Sequence, residues 1–135
     1  MSGKSVRIDH LGVAVTSLEE ARKFYEDLGL TAEGGEEVPE QKVRVLFLPV
    51  GESRIELLES TNPDGPIGRF LAKKGPGLHH ISLEVADLDG ALERLAEKGY
   101  DLIHDRPVEG AGGARVAFVH PRSASGVLLE LVEHR

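Results

Sequence analysis

Hydrophobic and polar residues alternate along one short stretch near the start of this chain. In the stretch that follows, apolar residues recur at helical spacing. The alternation over residues 8–15 is typical of a β-strand with one buried face. Over residues 18–28 the apolar positions recur every three or four residues, with Ser17 as a helix-start signal and Gly29 as a stop signal. We expect the buried stripe of this helix to consist of Leu18, Ala21, Phe24, Tyr25 and Leu28.

The strand-and-helix pattern occurs twice in the chain. Residues 9–21 align with residues 79–91, and residues 54–59 align with residues 128–133. Self-similarity of this kind indicates that the fold is built from two copies of one unit. The two alignments pair His10 with His80 and Glu56 with Glu130.

Further elements complete each copy. The second helix is expected to begin after Asp87 and to end at Gly99, with a buried stripe of Leu88, Ala91, Leu92 and Leu95. The glycine-rich residues 110–113 are expected to form a hairpin turn. Strand-like runs follow the helices over residues 31–38, 42–49, 54–59, 100–108, 115–120 and 127–132.

The chain is therefore predicted to form two βαβββ modules, residues 8–60 and 78–133, within one 135-residue domain of the α+β class. The connector 61–77 contains a turn signal and a short helix expected over residues 67–73, with Pro66 in its first turn. Neither half is expected to be stable as an open sheet with one bare face. We therefore expect the modules to combine around a shared cavity.

Composition narrows the class of partner. The sequence has 16 Lys and Arg against 23 Asp and Glu, and this net charge of −7 opposes binding to a phosphate backbone. The absence of cysteine excludes disulfides and thiolate metal sites, so any metal must be held by histidines and carboxylates. No apolar segment is long enough for a membrane span or a signal peptide. We therefore expect no nucleic acid partner, no membrane partner and a cytoplasmic location.

Strand periodicity divides the first strand into two faces. His10 shares one face with Gly12, whereas Val13 lies on the face expected to pack on the helix. A histidine among small side chains suits a strand that lines a ligand cavity. By the same periodicity His80 faces the cavity, and His79 is expected to be a structural residue.

Two glutamates occupy positions that are unusual for charged residues. Glu56 and Glu130 are flanked by apolar residues of predicted strands, and a buried, unpaired carboxylate costs several kcal/mol. Their repeated positions match those of the histidines, so we expect His10, Glu56, His80 and Glu130 to bind a divalent metal. Two nitrogen and two oxygen ligands suit Co²⁺, Mn²⁺, Ni²⁺, Fe²⁺ or Zn²⁺ without selecting one of them. Open positions on such a metal could accept two oxygens of a substrate.

Several short segments occur in an order that resembles a known family. They are DHLGVAV (9–15), IELL (55–58), GPIGRFL (65–71), GLHHISLEV (77–85), HPRS (120–123) and GVLLE (126–130). Together they resemble the vicinal oxygen chelate superfamily, which includes the glyoxalases, the bleomycin resistance proteins and the extradiol dioxygenases. Within it the resemblance is to the methylmalonyl-CoA epimerase family, and the connector segment and the His79-His80 pair are its most specific features.

This resemblance implies a fold and an activity. The fold is a curved mixed sheet of two βαβββ modules around a metal-binding cavity. The activity is metal-dependent isomerisation in propionate metabolism, which interconverts the 2R and 2S forms of methylmalonyl-CoA by proton transfer through a stabilised enolate. It also implies a homodimer, and Co²⁺ as the metal with Mn²⁺, Ni²⁺ or Zn²⁺ as alternatives.

The resemblance also implies roles for individual residues. The metal ligands of the family fall on His10, Glu56, His80 and Glu130, although some members have Gln where Glu56 stands. The two catalytic acids fall on Glu130 and on a glutamate before the third strand. That glutamate is taken as Glu40, with Glu36 and Glu37 as alternatives.

The substrate of such an enzyme carries a polyanionic CoA tail, and the acidic chain must bind it through a local basic patch. The candidates for this patch are Arg69, Lys73, Lys74, Arg115 and Arg122.

Three other functions use the same fold. A glyoxalase-I-like lyase acting on a thiol hemithioacetal shares the ligand set, and a non-enzymatic small-molecule-binding module needs no metal; both stay open. An extradiol dioxygenase uses two histidines and one carboxylate, so a fourth ligand from Glu56 argues against it.

Overall fold

The computed structural model describes residues 6–134 of the 135-residue chain. Strands and helices alternate along it much as the repeat predicts. The order is β1 (Val6–Val15), α1 (Leu18–Leu28), β2 (Gly35–Val38), β3 (Val43–Val50), β4 (Ser53–Ser60), α2 (Pro66–Lys74), β5 (Gly77–Val85), α3 (Leu88–Glu97), β6 (Val108–Glu109), β7 (Arg115–Val119) and β8 (Leu129–Glu133). Short 3₁₀ helices lie at Pro39–Gln41, Ala111–Gly113 and Pro121–Ser123.

The chain divides into two compact units. The first unit is His10–His79, and the second comprises residues 6–9 and 80–134 of the described chain. The chain passes from one unit to the other inside β1 and again inside β5. Each unit contains four strands, which are ordered β2-β3-β4-β1 in the first and β5-β8-β7-β6 in the second.

In the first unit the sheet is mixed. β1 runs parallel to β4, whereas β3 pairs antiparallel with both β4 and β2. The register places His10 opposite Arg54, Gly12 opposite Glu56 and Phe47 opposite Glu56. This pairing brings the predicted ligand strands of the first module side by side.

Helix α1 packs on the sheet of the first unit. It begins and ends where the sequence predicts. The Ser17 side chain accepts a hydrogen bond from the backbone N–H of Glu20, and Gly29 takes the left-handed conformation (φ 117°) that ends the helix. Leu18, Ala21 and Tyr25 pack against the buried cluster of Val15, Leu46, Leu48 and Leu57.

The expected stripe of α1 is wrong at two positions. Phe24 and Leu28 are 65% and 68% exposed. Successive helical residues are rotated by about 100°, so Phe24 lies beside the stripe that contains Tyr25 and meets that ring edge-on at 5.2 Å. Leu28 lies in the last turn, directly before the left-handed Gly29.

Helix α2 in the connector is confirmed, with Pro66 in its first turn and Gly75 at its C-terminal end. Gly68 is required by packing, because a Cβ there would lie 2.7 Å from the backbone of Pro63. Pro63 therefore packs closely against the first turns of α2, and α2 in turn contacts β4.

The second unit has the same arrangement as the first. β5 runs parallel to β8, and β7 pairs antiparallel with both β8 and β6. Helix α3 begins at its predicted cap, where Asp87 accepts from the N–H of Gly90, and the left-handed Gly99 follows its end. The core of the unit consists of Leu88, Ala91, Leu92, Ala117, Val119 and Leu131, with Leu95 packed against it.

Two predicted strands are mostly loop. In residues 31–38 only Gly35–Val38 pairs as a strand, because Gly34 has a φ of 121° that interrupts the extended chain. In residues 100–108 only Val108 is in a strand, and Leu102 forms one isolated bridge with Val119. The N–H groups of Ile103 and His104 both donate to the carbonyl of Phe118, which is not the pattern of a regular ladder.

The remaining local predictions agree with the structure. The hairpin turn expected at residues 110–113 is confirmed, since Ala111–Gly113 connects the antiparallel strands β6 and β7. Among residues 6–134 no helix is both long and apolar enough to cross a bilayer.

Candidate metal centre and active site

His10 and Glu56 form a buried pair in the first unit. They lie on the parallel neighbours β1 and β4, and Nδ1 of His10 is 3.3 Å from Oε2 of Glu56. Only 4% of His10 and 3% of Glu56 are exposed. A buried imidazole nitrogen and a carboxylate oxygen at this separation could both bind one metal ion.

His80 and Glu130 form the corresponding pair in the second unit. They lie on the parallel neighbours β5 and β8, with Nε2 of His80 3.6 Å from Oε1 of Glu130. Both side chains are buried. The ring of Phe118, which is the register partner of Glu130, packs edge-on against His80 at 5.6 Å. This aromatic contact fixes the plane of the imidazole.

The donor set of each unit fits a divalent transition metal. Ligands bound about 2.1 Å from one ion at right or tetrahedral angles lie about 3.0 to 3.4 Å apart. The nitrogen-to-oxygen distances of 3.3 Å and 3.6 Å are close to that spacing. Imidazole and carboxylate suit Co²⁺, Mn²⁺, Ni²⁺ or Zn²⁺. The repeated positions thus supply one His–Glu half-site in each unit.

Three polar residues near these pairs have no role assigned from the sequence. Arg54 donates to Glu56 through two N–H groups. Asp9 is buried, and His134 Nε2 lies 2.6 Å from its Oδ1. Ser82, opposite Glu130 in the register, is fully buried, and its hydroxyl has no hydrogen-bond partner in the described chain. A polar residue two positions from a ligand on the same strand is the signal that could have found Arg54 and Ser82.

The candidate second acid, Glu40, lies in the 3₁₀ helix Pro39–Gln41 of the first unit and is exposed. Its alternatives lie on β2, where Glu36 is half-buried and Glu37 is exposed. All three side chains belong to the segment that leads into β3. Glu36 and Glu37 lie on a strand and Glu40 lies in a 3₁₀ helix, so substituting each glutamate in turn tests a different position.

A cavity of about 520 Å³ lies against α2 in the first unit. Three of the predicted CoA contacts line it, namely Arg69, Lys73 and Lys74, together with Phe70 and His79. Phe70 packs edge-on against His79 at 5.0 Å, and Nζ of Lys74 lies 5.8 Å from the Phe70 ring. His79, expected to be structural, therefore forms part of a cavity wall.

The other two predicted CoA contacts are engaged with carboxylates of the second unit. Arg115 contacts Glu133 at 2.8 Å and Asp89 at 3.1 Å, and the hydrogen bond to Asp89 raises the pKa of Arg115 above its usual value. Arg122 lies 2.7 Å from Asp101. Because carboxylates already pair with both arginines, these two residues offer less positive charge to a phosphate than the cations of the α2 cavity do.

Comparison with known proteins gives the family. Residues 9–118 match the family model described as the Glyoxalase/Bleomycin resistance protein/Dioxygenase superfamily. The bovine mitochondrial methylmalonyl-CoA epimerase is 42% identical over 128 residues, which cover 93% of this chain and 73% of that protein. The chain belongs to the methylmalonyl-CoA epimerase family of this superfamily.

A further relative and a solved structure are similar to this chain over nearly its whole length. An uncharacterised Bacillus subtilis protein, YqjC, is 45% identical over 128 residues, or 94% of this chain and 91% of that one. The solved structure of a methylmalonyl-CoA epimerase in complex with methylmalonyl-CoA and NH₄⁺ is 37% identical and has a TM-score of 0.92, covering 96% of this chain and 95% of that one. The predicted α+β vicinal oxygen chelate fold is thereby confirmed.

Proposed function

We propose that this member of the epimerase family interconverts the 2R and 2S forms of methylmalonyl-CoA. The observation that carries the proposal is the pair of buried His–Glu half-sites, His10 with Glu56 and His80 with Glu130, at repeated positions of the fold. Relatives named methylmalonyl-CoA epimerase share 37–42% of its sequence, which supports the same substrate.

The chemistry explains why such a site is needed. C2 of methylmalonyl-CoA lies between a thioester carbonyl and a carboxylate, and its proton can be removed only if the resulting enolate is stabilised. When bound, a divalent metal held by His10, Glu56, His80 and Glu130 would supply Lewis-acid stabilisation of the developing negative charge. We propose Co²⁺ for this role, in keeping with the family resemblance, with Mn²⁺, Ni²⁺ or Zn²⁺ as alternatives.

Inversion at C2 requires one acid–base group on each face of that carbon. We propose Glu130 for one face, because its carboxylate is buried beside His80. We propose Glu40 for the other face, with Glu36 and Glu37 as alternatives. Substituting each of the three with glutamine shows which one is the acid–base group. One group removes the C2 proton and the other returns a proton to the opposite face.

The α2 cavity is our candidate for the CoA tail. Arg69, Lys73 and Lys74 provide positive charge on an otherwise acidic chain, and Phe70 provides an aromatic wall. Phosphate groups bind such clustered cations through charge-assisted hydrogen bonds. Arg115 and Arg122 stay in the proposed set with weaker support, because carboxylates already hold them.

Two broader properties stay predictions. A homodimer is expected from the family resemblance. A cytoplasmic location is expected because no apolar segment suits a signal peptide or a membrane span, and a cysteine-free chain is compatible with it.

The proposal is tested by incubating the purified, metal-loaded protein with a single epimer of methylmalonyl-CoA and following the appearance of the other. The hemithioacetal of glutathione serves as the competing substrate. Conversion of methylmalonyl-CoA alone supports the proposal. Turnover of the hemithioacetal without epimerisation would instead identify a glyoxalase-I-like enzyme, and binding of an apolar compound by metal-free protein without any turnover would identify a binding module.

A further inference from the structure

Arg54 makes a contact in the first half-site that the second copy of the repeat cannot make. Its Nε lies 2.9 Å and its Nη2 lies 2.8 Å from Oε2 of Glu56. In the alignment of residues 54–59 with 128–133, the residue that matches Arg54 is Leu128. The two half-sites therefore share their ligand types and differ at the residue two positions before the glutamate.

Both N–H groups of Arg54 donate to one carboxylate oxygen. Nδ1 of His10 lies 3.3 Å from that same oxygen, so Oε2 of Glu56 is shared between the guanidinium and the imidazole. Two charge-assisted hydrogen bonds that converge on one oxygen offset the negative charge of the carboxylate. Arg54 would therefore compete with a metal ion for this oxygen of Glu56.

The surroundings of Arg54 hold it in this position. The guanidinium lies 5.3 Å from the ring centre of Phe47, and Phe47 is the register partner of Glu56. The Arg54 side chain is 27% exposed, whereas that of Glu56 is 4% exposed. The cation therefore stands between the buried carboxylate and solvent, where it offsets a charge that would otherwise be costly to bury.

We propose that Arg54 is a positioning residue of the metal site, which holds Oε2 of Glu56 and offsets the negative charge of that carboxylate. The inference rests on the proposed function and deepens it. Because of Arg54, the His10–Glu56 pair contributes nearly no net charge to the proposed metal site. Such a site binds a divalent ion less tightly than it would without Arg54, because Arg54 competes with the ion for Glu56.

The test is a cycle of four proteins: the wild type, Arg54→Leu, Glu56→Gln and the double variant. Arg44→Leu is the matched control. Arg44 lies on the neighbouring strand β3 and pairs with Glu59 at 3.0 Å, but this pair is largely exposed. The control therefore removes the same charge from the same sheet without reaching a buried carboxylate.

The first readout is thermal unfolding of metal-free protein in chelator. Arg54→Leu is expected to lower the midpoint by about 6 to 12 °C, because it leaves the Glu56 charge buried without its cation. Arg44→Leu is expected to lower it by less than about 3 °C. In the Glu56→Gln background the effect of Arg54→Leu should fall by more than about half, since a neutral amide needs no counter-charge.

The second readout is Co²⁺ affinity, followed by calorimetry and by the visible absorption of the bound ion. Arg54→Leu is expected to tighten binding by roughly tenfold or more, and by less than about threefold when residue 56 is glutamine. A role in packing on Phe47 alone would change stability equally in both backgrounds and would leave the affinity unchanged.

The two proposals fail in different ways. If the wild type binds Co²⁺ but Arg54→Leu behaves like Arg44→Leu in both readouts, the role of Arg54 is refuted while the metal site stands. If the wild type binds none of Co²⁺, Mn²⁺, Ni²⁺ and Zn²⁺, the metal site and the role of Arg54 are refuted together. Coupling between Arg54 and Glu56 in both readouts supports the inference.

Discussion

Nε2 of His80 lies 3.6 Å from Oε1 of Glu130, and both side chains are buried where two parallel strands of the second unit meet. The first unit repeats this relationship with His10 and Glu56 at 3.3 Å. Parallel pairing of the first and last strands of each module is what places each histidine beside its glutamate. A metal ligand set can therefore be assembled from one internal repeat.

Removal of either cavity histidine is expected to weaken metal binding. His10→Ala and His80→Ala should each lower Co²⁺ affinity by at least about 100-fold, a larger loss than the 10- to 100-fold typical of residues around metal ligands. Calorimetric titration of chelator-treated protein measures this. His79→Ala, which removes the adjacent imidazole from the wall of the α2 cavity, should keep the affinity within about threefold of wild type. Equal losses in all three variants would contradict the assignment.

Removal of one acid–base group should separate proton exchange from inversion. Glu40→Gln is expected to lower epimerisation by at least about 100-fold, while exchange of the C2 proton with solvent persists for one epimer through the intact group. Parallel rates of exchange and inversion, measured by proton NMR, would show that Glu40 does not serve one face.

Glu36→Gln and Glu37→Gln are the matched controls for Glu40→Gln, because each removes one charge from the same segment. We expect both to epimerise at rates within about threefold of wild type. If one of them instead loses inversion while Glu40→Gln retains it, the second acid is that residue.

The α2 cavity is expected to act in binding and not in chemistry. Lys73→Ala and Lys74→Ala should each raise the KM for methylmalonyl-CoA by about 3- to 10-fold with kcat nearly unchanged, because they bind the tail equally in the ground and transition states. The increase should shrink at high salt. Lys98→Ala, at the end of α3, is the control and should leave KM unchanged. A fall in kcat without a change in KM would argue against CoA binding here.

The packing of α1 gives a prediction about stability. Leu57→Ala is expected to cost about 2 to 5 kcal/mol of unfolding free energy, since Leu57 is fully buried beneath the helix. Phe24→Ala should cost less than about 1 kcal/mol, because the ring is 65% exposed. Urea unfolding compares the two. A cost for Phe24→Ala as large as that for Leu57→Ala would mean that the ring is buried in solution.

Much of this structure could be predicted from local pattern. The helix caps at Ser17 and Asp87 and the stop at Gly29 follow from side-chain and backbone chemistry within one turn, so the sequence identifies them. The repeat identified the half-sites because a charged residue in an apolar strand is costly, and two such residues at matching positions require a shared reason. The division into modules 8–60 and 78–133 with connector 61–77 stays a prediction.

The features that the sequence does not predict depend on the tertiary structure. Helical periodicity could not show that Phe24 lies beyond the edge of the sheet contact, because that depends on how α1 sits on β3 and β4. The contact between Asp9 and His134 joins residues that are 125 positions apart in the chain. The bond from Arg54 to Glu56 is local, but its importance comes from the burial of Glu56, which only the tertiary structure shows.

We propose that this chain moves the C2 proton of methylmalonyl-CoA with the help of a metal held by the two half-sites. The direct measurement is proton NMR of a single epimer in D₂O with wild-type protein, before and after removal of metal by chelator. We expect loss of the C2 proton signal together with formation of the other epimer, abolition of both by the chelator, and recovery when Co²⁺ is added back. Unchanged exchange in chelator would contradict the metal dependence, and absence of exchange in the metal-loaded protein would contradict the epimerase function itself.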